Sequence, residues 1–362
     1  MSSADASAVA LPFQSGAGGQ FLAEIRDQPH ALRGLLAHAS EYARVAASVR
    51  EQGRTIVRMV GHGSSDNAAS FGVYAFGLLP RWTALRDSIT LTVHYGSGLD
   101  MSGSTVIGLS QSGRTPDVVE YVERARRAGA FTIALTNEVS SELAAAAEAV
   151  LPLGAGPELA VAATKTYTNQ LAALGLLAAH AAGEGARFED DLRVVADQLE
   201  SLIPGLEQRV PSVALPFAFV GRMFVTGRGT AFGTAREIGL KLLETCRIAA
   251  EALTTTDLAH GPVAALDALF PVWAIAADDE TLPSVLEAAA RSREAGAVVI
   301  ASGSAADKVD ADYTLALPAA PKPLLSPLLA VVPGQLFALS LARAKGLDPD
   351  HPRGLSKVTL AG

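Results

Sequence analysis

The sequence predicts an α/β fold of two tandem units, each a mostly parallel sheet flanked by helices. Three observations carry that reading. Short apolar runs alternate with longer stretches of helical spacing, a Gly-x-Gly-Ser/Thr turn occurs twice, and recurring landmarks lie at a nearly constant offset. Such alternation marks βαβ units, because parallel strands need a crossover, usually a helix, to bring the chain back.

The first unit is expected to open on the apolar run TIVRMVG (55–61) and to continue through STVIGLS (104–110) and FTIALTN (131–137). Its turn VGHGSSDNAA (60–69) returns as VTGRGTAFGTA (225–235), and RRAGAFTIAL (126–135) returns as REAGAVVIA (293–301). Gly61 and Gly227 are 166 positions apart, and Gly129 and Gly296 are 167 apart. Two landmarks with one offset imply a duplication. A polar helical stretch, residues 181–202, separates the copies, with the boundary near 190. The division is then a helical lead-in (1–38), a first domain (39–190), a second domain (191–345), and a tail punctuated by proline and glycine (346–362).

Composition narrows the function classes. The 362 residues are 49% hydrophobic and 18% charged, enough to bury two ordinary cores. No apolar run is expected to reach the roughly 18 uncharged residues of a membrane helix, and the first twenty residues lack a signal-like pattern, so a cytoplasmic protein without membrane association is expected. The single cysteine, Cys246, excludes an internal disulfide, and no Cys/His spacing suggests a metal. A formal charge of −8 argues against nucleic acid as a partner. An anionic ligand must therefore be held by local geometry.

The stretch GLSQSGRTPDVVE (108–120) offers that geometry. A helix N-terminus leaves about four N–H groups unpaired and carries roughly half a positive charge. Pro116 suits the first helical turn, which puts Thr115 near the N-cap and Ser110, Gln111 and Ser112 in the preceding loop. Ser64 and Ser65 lead into a second helix mouth. Ligands of parallel sheets bind beyond the carboxyl ends of strands, so the two loops can converge on one phosphate. The same residues also suit an ordinary βα turn with N-cap serines. A dinucleotide fingerprint would need glycine at position 66, where Asp66 stands, and no Gly-x-x-x-x-Gly-Lys-Ser/Thr loop occurs.

In order, GHGSS, GLSQSGRTPD, AGPELAVAATKTYTNQ, TGRGTAFGTAREIGLKLLETCRIAAEALTTTDLAHGP and DPDHPRGLSKVT resemble the double SIS (sugar isomerase) module. That module forms the isomerase half of glucosamine-6-phosphate synthase and occurs in stand-alone aminosugar-phosphate deaminases and fructosamine deglycases. The resemblance covers nearly the whole chain. It implies two flavodoxin-like three-layer αβα domains, a sugar-phosphate ligand, no cofactor and a homodimer whose active site is shared between subunits. Ser65, Ser110, Gln111, Ser112 and Thr115 match phosphate-binding positions, and Ser64 adjoins them. Glu244 matches the base that moves a proton between C1 and C2, Lys241 its catalytic neighbour, His260 the ring-opening histidine reaching in from the other subunit, and Lys357 a lysine able to form a Schiff base.

Independently of the resemblance, Lys241 and Glu244 are three apart and share a face if helical, so the lysine can tune the carboxylate. Read without context, the pair is a surface ion pair. Three departures from the pattern stand out. Arg114 replaces a glutamate, Ala163 a serine and Asp257 a glutamate. The second copy carries WAIAADDETLP (273–283) where a Ser-Gln-Ser loop would fall, so one phosphate site per chain is expected, in the first copy. Ser2 stands where the synthase's glutaminase cysteine would follow Met1. The expected reaction is therefore deamination of an aminosugar 6-phosphate. A fructosamine-6-phosphate deglycase, a plain aldose–ketose isomerase and a non-catalytic sugar-phosphate sensor are the alternatives.

Overall fold

The apolar runs pair into two five-stranded sheets, and all eight strand pairings are parallel among the described residues. The computed structural model describes residues 16–357; residues 1–15 of the lead-in and 358–362 of the tail lie outside it. The first sheet holds β1 (Ile56–Val60), β2 (Thr83–Arg86), β3 (Ser104–Ser110), β4 (Phe131–Thr136) and β5 (Ala149–Pro152), in the order β2-β1-β3-β4-β5. The second holds β6 (Arg222–Gly227), β7 (Ala249–Thr254), β8 (Pro271–Ile275), β9 (Val298–Gly303) and β10 (Tyr313–Ala316), in the order β10-β9-β8-β6-β7. Read from the other edge, the second order repeats the first, so the duplication extends to topology. Gly129 and Gly296 even share a conformation, with φ of +87° and +89° ahead of β4 and β9.

The two sheets do not enclose separate cores. One central cluster runs from Val57 and Ile133 on the first sheet through Tyr167, Ile238 and Phe337 to Val225 and Trp273 on the second. The reason lies in the helices between them. Lys165–Ala182 and Ser326–Ala344 are buried on nearly every residue, as helices apolar all round must be. Smaller clusters cover the outer faces, around Tyr121 on the first sheet and around Val285 and Phe270 on the second. Residue 190 lies within the 30-residue helix Gly185–Ala214, which packs on the helix Ser326–Ala344.

One expectation needs correcting. The segment Pro323–Ala344 is long and apolar enough to cross a membrane by length and composition alone. Its serine, proline and glutamine break up the apolar run in the sequence, and in the fold it is a buried core helix.

Two helices carry the site across the seam between the sheets. Ser64–Leu78 follows β1, and Ala231–Cys246 follows β6. They meet at Gly233, where a Cβ would lie 2.7 Å from the carbonyl oxygen of Asn67. Only glycine lets the backbones approach this closely. Gly233→Ala is expected to force them apart and to lower stability by about 1–3 kcal/mol in urea unfolding. Cys246, at the end of the same helix, donates to the Ala338 carbonyl at 3.1 Å, and burial pushes its thiol up to about 11. It should resist thiol reagents in the native protein and react only on unfolding, as a time course with a chromogenic disulfide would show.

Candidate active site

β1 and β3 are neighbours whose following connections run to opposite edges of the sheet, the place where open parallel sheets bind ligands. A cavity of about 430 Å³ opens there. Ser65, Ser110, Gln111, Ser112, Thr115 and Lys357 line it, so six of the ten expected site residues come together. The helix after β3 begins at Pro116 with Thr115 as N-cap. Thr115 does not cap with its own side chain. Its hydroxyl lies 3.1 Å from the Ser110 hydroxyl, which accepts the Gly113 N–H at 3.0 Å. Ser112 Oγ accepts the Arg114 N–H at 3.3 Å, and Ser65 Oγ accepts from Gln170 at 2.9 Å, which leaves the Ser65 proton free to donate. Gly113 has φ +65°, and a Cβ would sit 2.0 Å from the Ser141 hydroxyl, so the loop closes only with glycine.

Ser64 turns the other way. Its hydroxyl donates to Glu237 at 2.8 Å and accepts from Lys241 at 3.3 Å. Glu237, Lys241 and Glu244 recur at i, i+4 and i+7 on one face of Ala231–Cys246. Lys241 Nζ lies 2.6 Å from Glu244 and 3.4 Å from Glu237, and Asn67 donates to Glu237 at 2.9 Å. Lys241 and Glu237 are buried, while Glu244 keeps 22% of its side chain exposed. Burial works against the Lys241 ammonium, but the two carboxylates outweigh it and hold its pKa above the ordinary lysine value. Burial also raises the Glu237 carboxyl, against the pull of Lys241. The surface pair that Lys241 and Glu244 suggest in isolation is thus a largely buried triad, adjacent through Ser64 and Ser65 to the hydroxyl-lined cavity.

Lys357 reaches the cavity from the tail. Its Nζ donates to Glu158 and to the Ala160 carbonyl, both at 2.7 Å. Glu158 is buried, which alone would raise its pKa. The Lys357 charge, with hydrogen bonds from Thr164 and Thr166, brings it below the ordinary carboxylate range. His260 behaves differently. It ends the short helix Thr255–Ala259, is exposed, and is not among the residues lining this cavity.

The sequence reading missed four contributors. Glu237 and Glu158 sit inside the quoted motifs, and helical spacing alone marks Glu237 as a face-mate of Lys241. His62 and Asp117 also line the cavity, with His62 Nε2 2.7 Å from Asp117. Nothing in the sequence signals that pairing across 55 positions.

The SIS domain profile matches residues 51–180 and 217–344. The chain belongs to the SIS-domain family. Glutamine–fructose-6-phosphate aminotransferase (isomerizing) of Corynebacterium efficiens is 34% identical over 355 residues, 92% of this chain and 57% of that protein. This SIS chain therefore spans little more than half the length of the curated relatives it matches. Among solved structures, a protein of Silicibacter pomeroyi proposed to be a phosphosugar isomerase has a TM-score of 0.82 at 30% identity, covering 91% of this chain and 99% of that one. The C-terminal domain of the Francisella tularensis glucosamine–fructose-6-phosphate aminotransferase shares the fold, with a TM-score of 0.84 at 24% identity, covering 92% and 98%.

In this SIS chain the Glu158–Lys357 pair ties the tail to the cavity. Glu158→Gln is expected to cost about 1–3 kcal/mol at neutral pH and to speed hydrogen exchange of residues 350–357. Because the folded carboxyl titrates below its ordinary value of about 4.3, wild type holds this advantage above that pH. The advantage fades as pH falls through the lower folded value, so urea unfolding of the two proteins should converge in acid.

Proposed function

We propose that the protein is an isomerase-type enzyme that deaminates an aminosugar 6-phosphate, glucosamine 6-phosphate giving fructose 6-phosphate and ammonia. One observation carries the reading. Serine and threonine hydroxyls at a helix N-terminus wall a cavity whose Ser65 is the chain neighbour of Ser64, and Ser64 bonds the buried Lys241 that holds the Glu244 carboxylate. The cavity is suited to a phosphoryl group, and the carboxylate to proton transfer.

In this reading Ser65, Ser110, Gln111, Ser112 and Thr115 hold the phosphate. His260 of a second copy opens the sugar ring. Glu244 removes the proton at C2 of the open aldose and returns it to C1, with Lys241 aiming the carboxylate. The 2-imine so formed takes up one water and releases ammonia, leaving the ketose. Lys357, paired with Glu158, stands at the cavity as a charged donor.

A second reading has an observation of its own. A neighbouring cavity of about 700 Å³ shares Gln111 with the first and is lined by Glu41, Glu138 and Leu159. A bare amino group needs no such space, whereas the amino-acid portion of a fructosamine 6-phosphate would occupy it.

Ammonia release from glucosamine 6-phosphate tests the first reading, with galactosamine 6-phosphate and a fructosyl-amino-acid 6-phosphate assayed in parallel. Glu244→Gln should lower kcat by roughly 10²–10⁴-fold and leave KM within a few-fold. Free amino acid from the fructosyl compound alone would select the deglycase. Isomerisation of an amino sugar without ammonia would overturn both.

A further inference from the structure

The phosphate cavity contains a carboxylate. Asp117 stands in the first turn of the helix Pro116–Arg127, where its charge competes with a phosphoryl group for the same helix N-terminus. Its side chain is 11% exposed, and its Oδ1 is buried without a hydrogen-bond partner among the described residues. Oδ2 is engaged by His62 Nε2 at 2.7 Å. A carboxylate only accepts, so Nε2 carries the hydrogen and Nδ1 is left to take the second proton.

The charges around the cavity are few. Among its lining residues only His62, Asp117 and Lys357 carry titratable side chains, and Lys357 is offset by Glu158. Asp66, one turn along the helix that follows His62, is paired with Arg86 and Arg236, and Arg114 lies exposed outside the lining. Counting Glu158 with these three groups, the sum is one negative charge with His62 neutral and zero with His62 protonated. Imidazole changes charge in the neutral range, where an alkyl ammonium and a carboxylate do not.

We infer that His62 is a phosphoryl-recognition residue that cancels Asp117, so that binding of a dianionic phosphoryl group is coupled to uptake of a proton at Nδ1. By reciprocity the bound dianion favours imidazolium as much as imidazolium favours the dianion. The inference rests on the sugar-phosphate reading of this cavity.

The test is titration calorimetry of the full chain with sulfate, a dianion that does not itself titrate, near pH 7.5 in buffers of differing ionisation enthalpy. Wild type should bind sulfate and take up a large fraction of one proton. His62→Gln should abolish the uptake and weaken binding about tenfold. Asp117→Asn added to His62→Gln should restore affinity to within about threefold of wild type, which a merely misfolded site could not do. Sulfate binding by wild type without proton uptake overturns the coupling. Uptake that persists in His62→Gln, or a double variant as weak as the single, does the same. No sulfate binding by wild type overturns the anion-cavity reading itself and this inference with it.

Discussion

The ammonium of Lys241, buried between Glu237 and Glu244, sets how the two halves of the chain meet. An unpaired charge at such a depth would cost several kcal/mol, so the helix Ala231–Cys246 must dock where its carboxylates are also satisfied. Ser64 and Asn67 of the first domain supply that, both donating to Glu237. At the rim, Arg236 bonds Ser70 and Asp66, each at 2.8 Å. The seam therefore carries polar contacts at Glu237 and Arg236 beside the shared apolar core, and the helices approach closely at Gly233. Its consequence is functional. The loop that would hold phosphate and the helix that would move protons belong to one unit, so the separation between Ser65 and Glu244 is a property of packing rather than of a hinge.

The same economy of charge governs the cavity. Its walls present hydroxyls and N–H groups, and no arginine lines it. Hydroxyls already oriented by Gly113 N–H and by Gln170 need little reordering when a ligand arrives. Binding then depends on geometry and on a helix terminus worth roughly half a charge, so any uncompensated carboxylate nearby weighs heavily. That makes the state of Asp117 consequential in a way it would not be beside an arginine cluster.

Much of this was legible in the sequence. The alternation of apolar runs and the repeated offset mark the duplicated parallel sheets, because period and punctuation are local properties. The Ser-Gln-Ser-Gly loop was legible for the same reason, its helix start being written in Thr115 and Pro116. What escaped are contacts between residues far apart. Ser64 reads as a neighbour of Ser65 and of the phosphate, yet the helix turn aims it at Glu237, 173 positions away. Glu158 reads as one acidic residue in a loop, and only the fold brings Lys357 to it from 199 positions off. His260 has the sequence setting of a loop histidine, and the single chain leaves it exposed and outside the cavity lining. The apolar stretch at 323–344 shows the limit of counting residues, since burial between two sheets and burial in a bilayer demand the same composition.

Lys357 shows how far such dependence extends. The tail preceding it is held where Asp350 accepts the N–H groups of Gln20 and Phe21, at 3.1 and 2.7 Å, and Asp348 accepts that of Gly18 at 3.3 Å. The helix that begins there presents Glu24, which receives the N–H groups of Leu159 and Ala160. Those two residues flank the position where Lys357 docks, because Glu158 and the Ala160 carbonyl are its acceptors. Farther along, Asp27 pairs with Lys165 at 2.7 Å, and Gln28 bonds Gln335 at 2.8 Å. The lead-in is thus a brace, fixing both the tail and the loop that receives its lysine. Ordering a chain terminus costs about 1–2 kcal/mol per residue in backbone entropy. Here that cost is offset by hydrogen bonds shared between the two segments. A cationic donor at the cavity therefore depends on contacts between residues more than three hundred positions apart.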